Sequence, residues 1–263
     1  QKSLPWIKAN NLESPYNTVG VIGRMALEVL LFRSLFRNTK VELREGPRVV
    51  YGSDKLLWLA GLAFHWSFLL IVIRHLRFFS GSDVPGVIAM LEGLDGFFQL
   101  GLPTLYLTDA VLLAAATFLF LRRVVIPQVR YISLPADYFA LFLILGIAIT
   151  GCLMRYIFRV DVGGAKELAM GIVSFKPTAP EGIGATFYIH LFLVSVLLAY
   201  FPLSKLMHMG GVFLSPTRNL ANDNRTRRHV NPWDYEVKVH TYEEYEDEFR
   251  EKMKTAGLPV EKE

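Results

Sequence analysis

Six histidines occur in the 263-residue chain, and four of them, His65, His75, His190 and His208, lie in or at the ends of long apolar runs. At membrane depth an imidazole is costly unless it faces a bundle interior, a partner or a cofactor. A lone one reads as a hydrogen-bonded core residue; four invite a ligand. His65 and His75 stand ten residues apart, and His190 and His208 stand eighteen apart. On helices these spacings give a rise of about 15 Å with roughly 80° of rotation, and a rise of about 27 Å over five turns. If the two helices run antiparallel, His65 comes level with His208 and His75 with His190. Zinc normally takes four protein ligands in a closed site, and no carboxylate or cysteine cluster accompanies either pair. Heme fills four of the six iron positions itself and leaves two axial sites for imidazoles. Two bis-histidine hemes therefore use all four residues, and with both axial sites filled they favour electron transfer over chemistry at iron.

The neighbouring residues fit that cofactor. Phe64, Trp66, Phe68, Phe187 and Phe192 supply apolar aromatic walls. Arg74 and Arg77 flank His75, while Lys205 and the run Asn224-Arg-Thr-Arg-Arg228 accompany His208. These cations are candidates to pair with heme propionates; snorkelling to lipid headgroups is the competing reading for each. Pro202, six residues before His208, is expected to kink the helix and present that histidine.

Four apolar stretches are long enough to position these groups across a bilayer, which takes about 20 helical residues. They run roughly from Lys55 to Phe79, Phe97 to Leu121, Ala136 to Phe158 and Gly184 to Met207. Length and uniform apolarity argue for helices over barrel strands. The predicted fold is an all-α integral membrane bundle of four spans holding two hemes b. The start at Gln1, without a signal peptide, adds the expectation of further sequence upstream. At 52% hydrophobic and 20% charged residues, the composition excludes an ordinary soluble enzyme. The single cysteine, Cys152, excludes an internal disulfide framework, a thiolate zinc site and an iron-sulfur cluster held by this chain alone.

Three domains are expected: an interfacial and cytoplasmic segment over residues 1–54, a diheme transmembrane domain over 55–209, and a cytoplasmic tail over 210–263. In the first, Thr18 to Phe36 reads as an amphipathic helix in the interface, with Arg24 and Glu28 as an i,i+4 pair. Packing against a partner subunit is the alternative. A charged hairpin or loop follows, with Gly46-Pro47 and Gly52 as its turn signals. In the tail, Thr241 and Glu244 form a capping box for a helix stopped by Gly257 and Pro259. Its stripe of Tyr242, Tyr245, Phe249 and Met253 wants a soluble partner to bury against; a loosely ordered tail is the other reading.

The formal charge is +4, but the basic residues lie beside apolar runs, so they read as membrane flanks and not as a nucleic-acid surface. Of 28 Lys and Arg residues, 22 fall in residues 1–55, 122–135 and 205–263. Cytoplasmic flanks carry that excess, so both ends of the chain are assigned to the cytoplasmic side of the inner membrane. The loops around Ser80 to Gly96 and Val160 to Gly182 then face outside.

The segments AFHWSFLLIVIRHLRFF and YIHLFLVSVLLAYFPLSKLMH, with their two histidine spacings, resemble the cytochrome b gamma subunits of respiratory nitrate reductase. The segment GRMALEVLLFRSLFRNTKVELREG and the tail RRHVNPWDYEVKVHTYEEYEDEF look closer still to the DsrM family, the cytochrome b subunits of DsrMKJOP complexes. That resemblance implies a two-heme subunit, with at least one more spanning helix before Lys55, that oxidises menaquinol near the outer face. Electrons would then pass inward to a cytoplasmic iron-sulfur subunit resembling heterodisulfide reductase, within a complex of sulfur metabolism that holds other membrane and extracytoplasmic subunits. By position it makes His75 with His190 the outer pair and His65 with His208 the inner pair. One departure stands out: a lysine serves the quinol site of the nitrate reductase subunits, and the loop after His75 has none. Asp83, Glu92 and Asp95 lie there instead. Quinol oxidation releases two protons with two electrons, so Glu92 or Asp95 is the candidate proton acceptor; solvated loop acids are the plain alternative. Two competing functions remain: a heme-bearing anchor without its own quinone site, and a histidine-based proton or metal transporter, which no inverted repeat supports.

Overall fold

The computed structural model describes residues 6–8, 10–46, 48–80, 85–96, 104–223 and 236–262. Helix α1, Thr18–Leu31, starts at Asn17, whose side chain accepts the Gly20 N–H at 2.8 Å, and ends at Phe32 in the left-handed region with φ 50°. After one helical turn at Arg33–Phe36, strands β1 (Thr39–Arg44) and β2 (Arg48–Ser53) form an antiparallel hairpin with Thr39 opposite Ser53 and Arg44 opposite Arg48. Its tight turn needs Gly46, whose φ of +76° disfavours any side chain.

Next come α2 (Lys55–His75, extended by a 3₁₀ turn Leu76–Phe79), α3 (Gly86–Asp95), α4 (Leu107–Val125), α5 (Pro135–Cys152) and α6 (Val162–Val173). Helix α7 covers Ala185–Tyr200 and α8 His208–Leu214. Backbone packing joins α2 to α4, α4 to α5 and α5 to α7. The core between them is Phe64, Leu112, Ala115, Ala116 and Ile144. Ala115 and Ala116 present so little side chain that α2 and α4 approach closely, the usual device of helix packing in lipid. Among the described residues no comparable packing joins α2 to α7.

Three helices are long and apolar enough to cross a membrane, Lys55–Phe79, Pro135–Phe158 and Ala185–Leu203. Outward-facing Leu59, Leu69, Val72, Ile189, Phe192 and Leu198 are exposed apolar surface that a bilayer would cover. The remaining predicted span differs. Sequence reading starts it at Phe97, whereas α4 begins at Leu107, and residues 97–103 lie outside those described. Asp95 ends α3 and accepts both the N–H and the hydroxyl of Thr108, at 2.8 and 2.6 Å, which fixes where α4 can begin. Asp109, Arg122 and Arg123 shorten its apolar run.

Two further differences concern local structure. Arg24 and Glu28 do not pair with each other. Arg24 donates to the Thr217 carbonyl at 2.9 Å, and Glu28 accepts the backbone N–H and hydroxyl of Ser34 at 3.0 and 2.6 Å. The αL turn at Phe32 brings Ser34 back to that carboxylate and outcompetes an exposed i,i+4 pair. The connections around Ser80 to Gly96 and Val160 to Gly182, read from sequence as loops, contain α3 and α6; Asp161 caps α6 by accepting the N–H groups of Gly163 and Gly164.

Residues 236–262 belong to a second compact unit. Helix α9, Tyr242–Thr255, has the predicted capping box: Thr241 N–H donates to Glu244 at 3.1 Å, and Glu244 N–H donates to the Thr241 hydroxyl at 3.3 Å. Gly257 takes φ +68° beyond its end. The chain then folds back, so that the buried Glu246 carboxylate accepts the N–H groups of Glu261 and Lys262, each at 2.8 Å. Met253 is buried in this unit, whereas Tyr242 and Tyr245 are about half exposed, at 49% and 48%.

Candidate functional site

The four histidines in or near the apolar helices meet as two pairs. His65 of α2 faces His208 at the start of α8, with ring centres 5.8 Å apart and planes at 88°. His75 at the end of α2 faces His190 of α7, with ring centres 6.4 Å apart and planes at 16°. Two imidazoles bonded in line to one ion, at about 2 Å per nitrogen, have ring centres about 6 Å apart. Both separations match that figure.

Each imidazole is also oriented. Nδ1 of His65 lies 2.7 Å from the Gly61 carbonyl, Nδ1 of His75 lies 2.7 Å from that of Ile71, and Nδ1 of His208 lies 2.9 Å from that of Lys205. A carbonyl only accepts, so these Nδ1 atoms carry the proton and Nε2 is left as the free donor atom. His190 makes its contact to a different helix, with Nδ1 2.9 Å from the Thr150 hydroxyl of α5. This is the outer-shell arrangement of a metal-ligating imidazole. The missing backbone packing between α2 and α7 has the same sense, because a macrocycle held by imidazoles from both requires those two helices to stand apart. The donor set thus fits heme: two imidazoles per site, with no cluster of three or more His, Cys, Asp or Glu among the described residues.

The helix break at Pro202 gives the His65–His208 pair its geometry. Helix α7 stops at Tyr200, a 3₁₀ turn covers Phe201–Leu203, and the Ser204 hydroxyl accepts the Leu206 N–H at 3.2 Å to start another turn. His208 begins α8 from there, its ring edge-on to that of His65. Phe32 and Phe64 pack edge-on to His65, with centres 5.0 and 5.1 Å away.

Around the His75–His190 pair lies a charged network. Arg74 is buried, donates to Asp109 at 2.6 Å and to Thr108 at 3.2 Å, and lies 3.3 Å from Asp95. Tyr156 donates its hydroxyl to Asp109 at 2.7 Å and accepts the Tyr106 N–H at 3.0 Å. The π-helical turn Leu153–Phe158 directs Tyr156 and Arg155 into this network, and the guanidinium groups of Arg74 and Arg155 lie 3.9 and 4.0 Å from the Tyr106 ring centre. Arg77 pairs with Glu92 at 2.8 Å, and Lys205 pairs with Asp137 at 3.0 Å. The candidate propionate partners Arg74, Arg77 and Lys205 therefore all hold carboxylates of the chain. Asp83 and the Arg225, Arg227 and Arg228 run lie outside the described residues.

Sequence reasoning missed Asp109, Tyr156 and Thr150. Asp109 carried a signal, since an acid in the first turn of an apolar helix is an expensive group that usually has a partner. Tyr156 and Thr150 carried none, because both are ordinary helix residues until α4, α5 and α7 are packed.

The fold and these pairs define a helical membrane protein that holds two sets of facing imidazoles between its helices. The chain belongs to the nitrate reductase gamma subunit family, whose pattern matches residues 25–227, a range containing all four histidines. It is 46% identical over 241 residues to a protein of Archaeoglobus fulgidus named Hdr-like menaquinol oxidoreductase cytochrome b-like subunit, covering 89% of this chain and 71% of that one. A protein of the same name from Archaeoglobus profundus is 42% identical over 233 residues, covering 87% and 68%.

Proposed function

We propose that the chain is a diheme b membrane subunit of a respiratory oxidoreductase complex of the DsrM type, a menaquinol dehydrogenase delivering electrons to a cytoplasmic iron-sulfur subunit. The observation that carries this reading is the pairing of His65 with His208 and of His75 with His190, each with Nδ1 engaged. Membership of the nitrate reductase gamma family and the names of the two Archaeoglobus relatives support it. When bound, two hemes b supply a one-electron relay between the two faces of the bilayer. His75 and His190 hold the outer one and His65 and His208 the inner one.

The chain's other residues manage protons and partners. Oxidation of a quinol at the outer face releases two electrons and two protons, and the protons need acceptors beside the outer pair. Glu92 and Asp95 are assigned that role, each held as a carboxylate beside a cation, Arg77 and Arg74. Arg74 also holds Asp109, so the network can redistribute a proton among Asp95, Asp109 and the Tyr156 hydroxyl. The half-exposed aromatic face of α9 is assigned to a heterodisulfide-reductase-like partner, with both chain ends on the cytoplasmic side and other membrane and extracytoplasmic subunits completing the complex.

A second reading has a specific observation in its favour. Glu92 and Asp95 are already engaged in ion pairs, as expected if the subunit is a heme-bearing anchor that conducts electrons between partners without binding quinol. Adding a menaquinol analogue to the purified subunit separates the two: reduction of its hemes supports quinol oxidation, and hemes that stay oxidised support the anchor.

A further inference from the structure

Three of the four histidines are held by carbonyls of their own chain one turn earlier, an arrangement that admits a single tautomer. His190 is different, because a hydroxyl can donate or accept and so does not by itself decide which nitrogen carries the proton. The surroundings of Thr150 decide it. Its Oγ1 lies 2.7 Å from the Gly146 carbonyl and 3.0 Å from the Ile147 carbonyl, and neither can donate. The single hydroxyl proton is thereby committed to the backbone of α5, the usual back-bond of a helical threonine. Only a lone pair remains to face His190.

We propose that Thr150 is the positioning residue of the outer histidine pair: its hydroxyl, locked onto α5, accepts the Nδ1 proton of His190 and leaves Nε2 free for the metal. The inference rests on the two-heme reading. Gly151 completes the seat, since a Cβ there would lie 3.5 Å from Cε1 of His190, so the ring rests directly against α5. An acceptor at Nδ1 raises the basicity of the ligating nitrogen and favours the more oxidised metal.

The test is a redox titration of the full-length chain in its complex, comparing the native protein with Thr150→Val and Thr150→Ser; the outer heme is identified as the one lost in His75→Ala. Thr150→Val keeps the shape and removes the acceptor. It is expected to raise the midpoint potential of the outer heme, or to empty that site, while the inner heme titrates unchanged. Thr150→Ser keeps the hydroxyl and is expected to restore the native pattern. If the outer midpoint is unchanged in Thr150→Val, or moves as far in Thr150→Ser, the hydroxyl has no such role and the inference is overturned. A native chain without heme would overturn the two-heme reading itself, an outcome visible before any variant is made.

Discussion

His75 and His190 present their imidazoles 6.4 Å apart with planes 16° from parallel, whereas His65 and His208 stand at 88°. The relative orientation of axial ligand planes sets the splitting of the iron d orbitals, so the two sites should give two different low-spin ferric signals in electron paramagnetic resonance. His75→Ala is expected to remove one signal and His65→Ala the other. A single substitution that removes both, or identical signals from the two sites, would contradict separate pairs.

Arg74 lies buried between Asp95 and Asp109, and among the described residues no other cation pairs with both. Arg74→Met leaves two part-buried carboxylates, with side chains 6% and 14% exposed, without their counter-charge, a loss of up to about 3–5 kcal/mol by comparison with fully buried pairs. Thermal denaturation in detergent should show a large fall in the midpoint, and Arg74→Met combined with Asp109→Asn should recover part of it. A double variant no more stable than the single one argues against the coupling.

Pro202 ends α7 and allows the two 3₁₀ turns that deliver His208. Pro202→Ala is expected to let the helix continue, since the missing N–H is restored, and to move His208 out of line with His65. Optical redox spectra should then show a perturbed or vacant inner site beside an intact outer one. Equal perturbation of both sites would assign the proline a general folding role.

Acid should loosen the parts outside the membrane. The backbone N–H groups of Glu261 and Lys262 hold the Glu246 carboxyl below its usual range, and Arg37, followed by Arg33, draws the Glu13 carboxyl down to about 2. A carboxyl with a lowered folded pKa contributes stability that is complete above its ordinary value, near 4.5 for Glu, and disappears as pH falls through the folded value. Hydrogen-exchange protection factors, corrected for the intrinsic pH dependence of amide exchange, should therefore be flat between pH 7 and 5 at α9 and at the segment around Glu13, and should fall below about pH 4. Glu246→Gln should remove the step at α9 alone.

Much of the site was legible because its information is local. The ten- and eighteen-residue spacings and the alternation of spans were enough to match His65 with His208 and His75 with His190, and Pro202 announced the break before His208. The capping box at Thr241 and Glu244 was equally readable from four residues. What escaped depended on contacts between distant segments. The start of α4 is fixed by Asp95 reaching Thr108 across a connection, the role of Arg74 by Asp109 thirty-five residues away, and the partner of Glu28 by the left-handed turn at Phe32. Thr150 acts only because α5 packs beside α7, forty residues further along the chain.

A pyridine hemochrome assay on the purified full-length chain, referred to protein concentration, decides whether the paired imidazoles hold what their geometry fits. Two hemes b per chain are predicted, falling to one in His75→Ala and in His65→Ala. No heme in the native chain, or a ratio that neither substitution lowers, would contradict it.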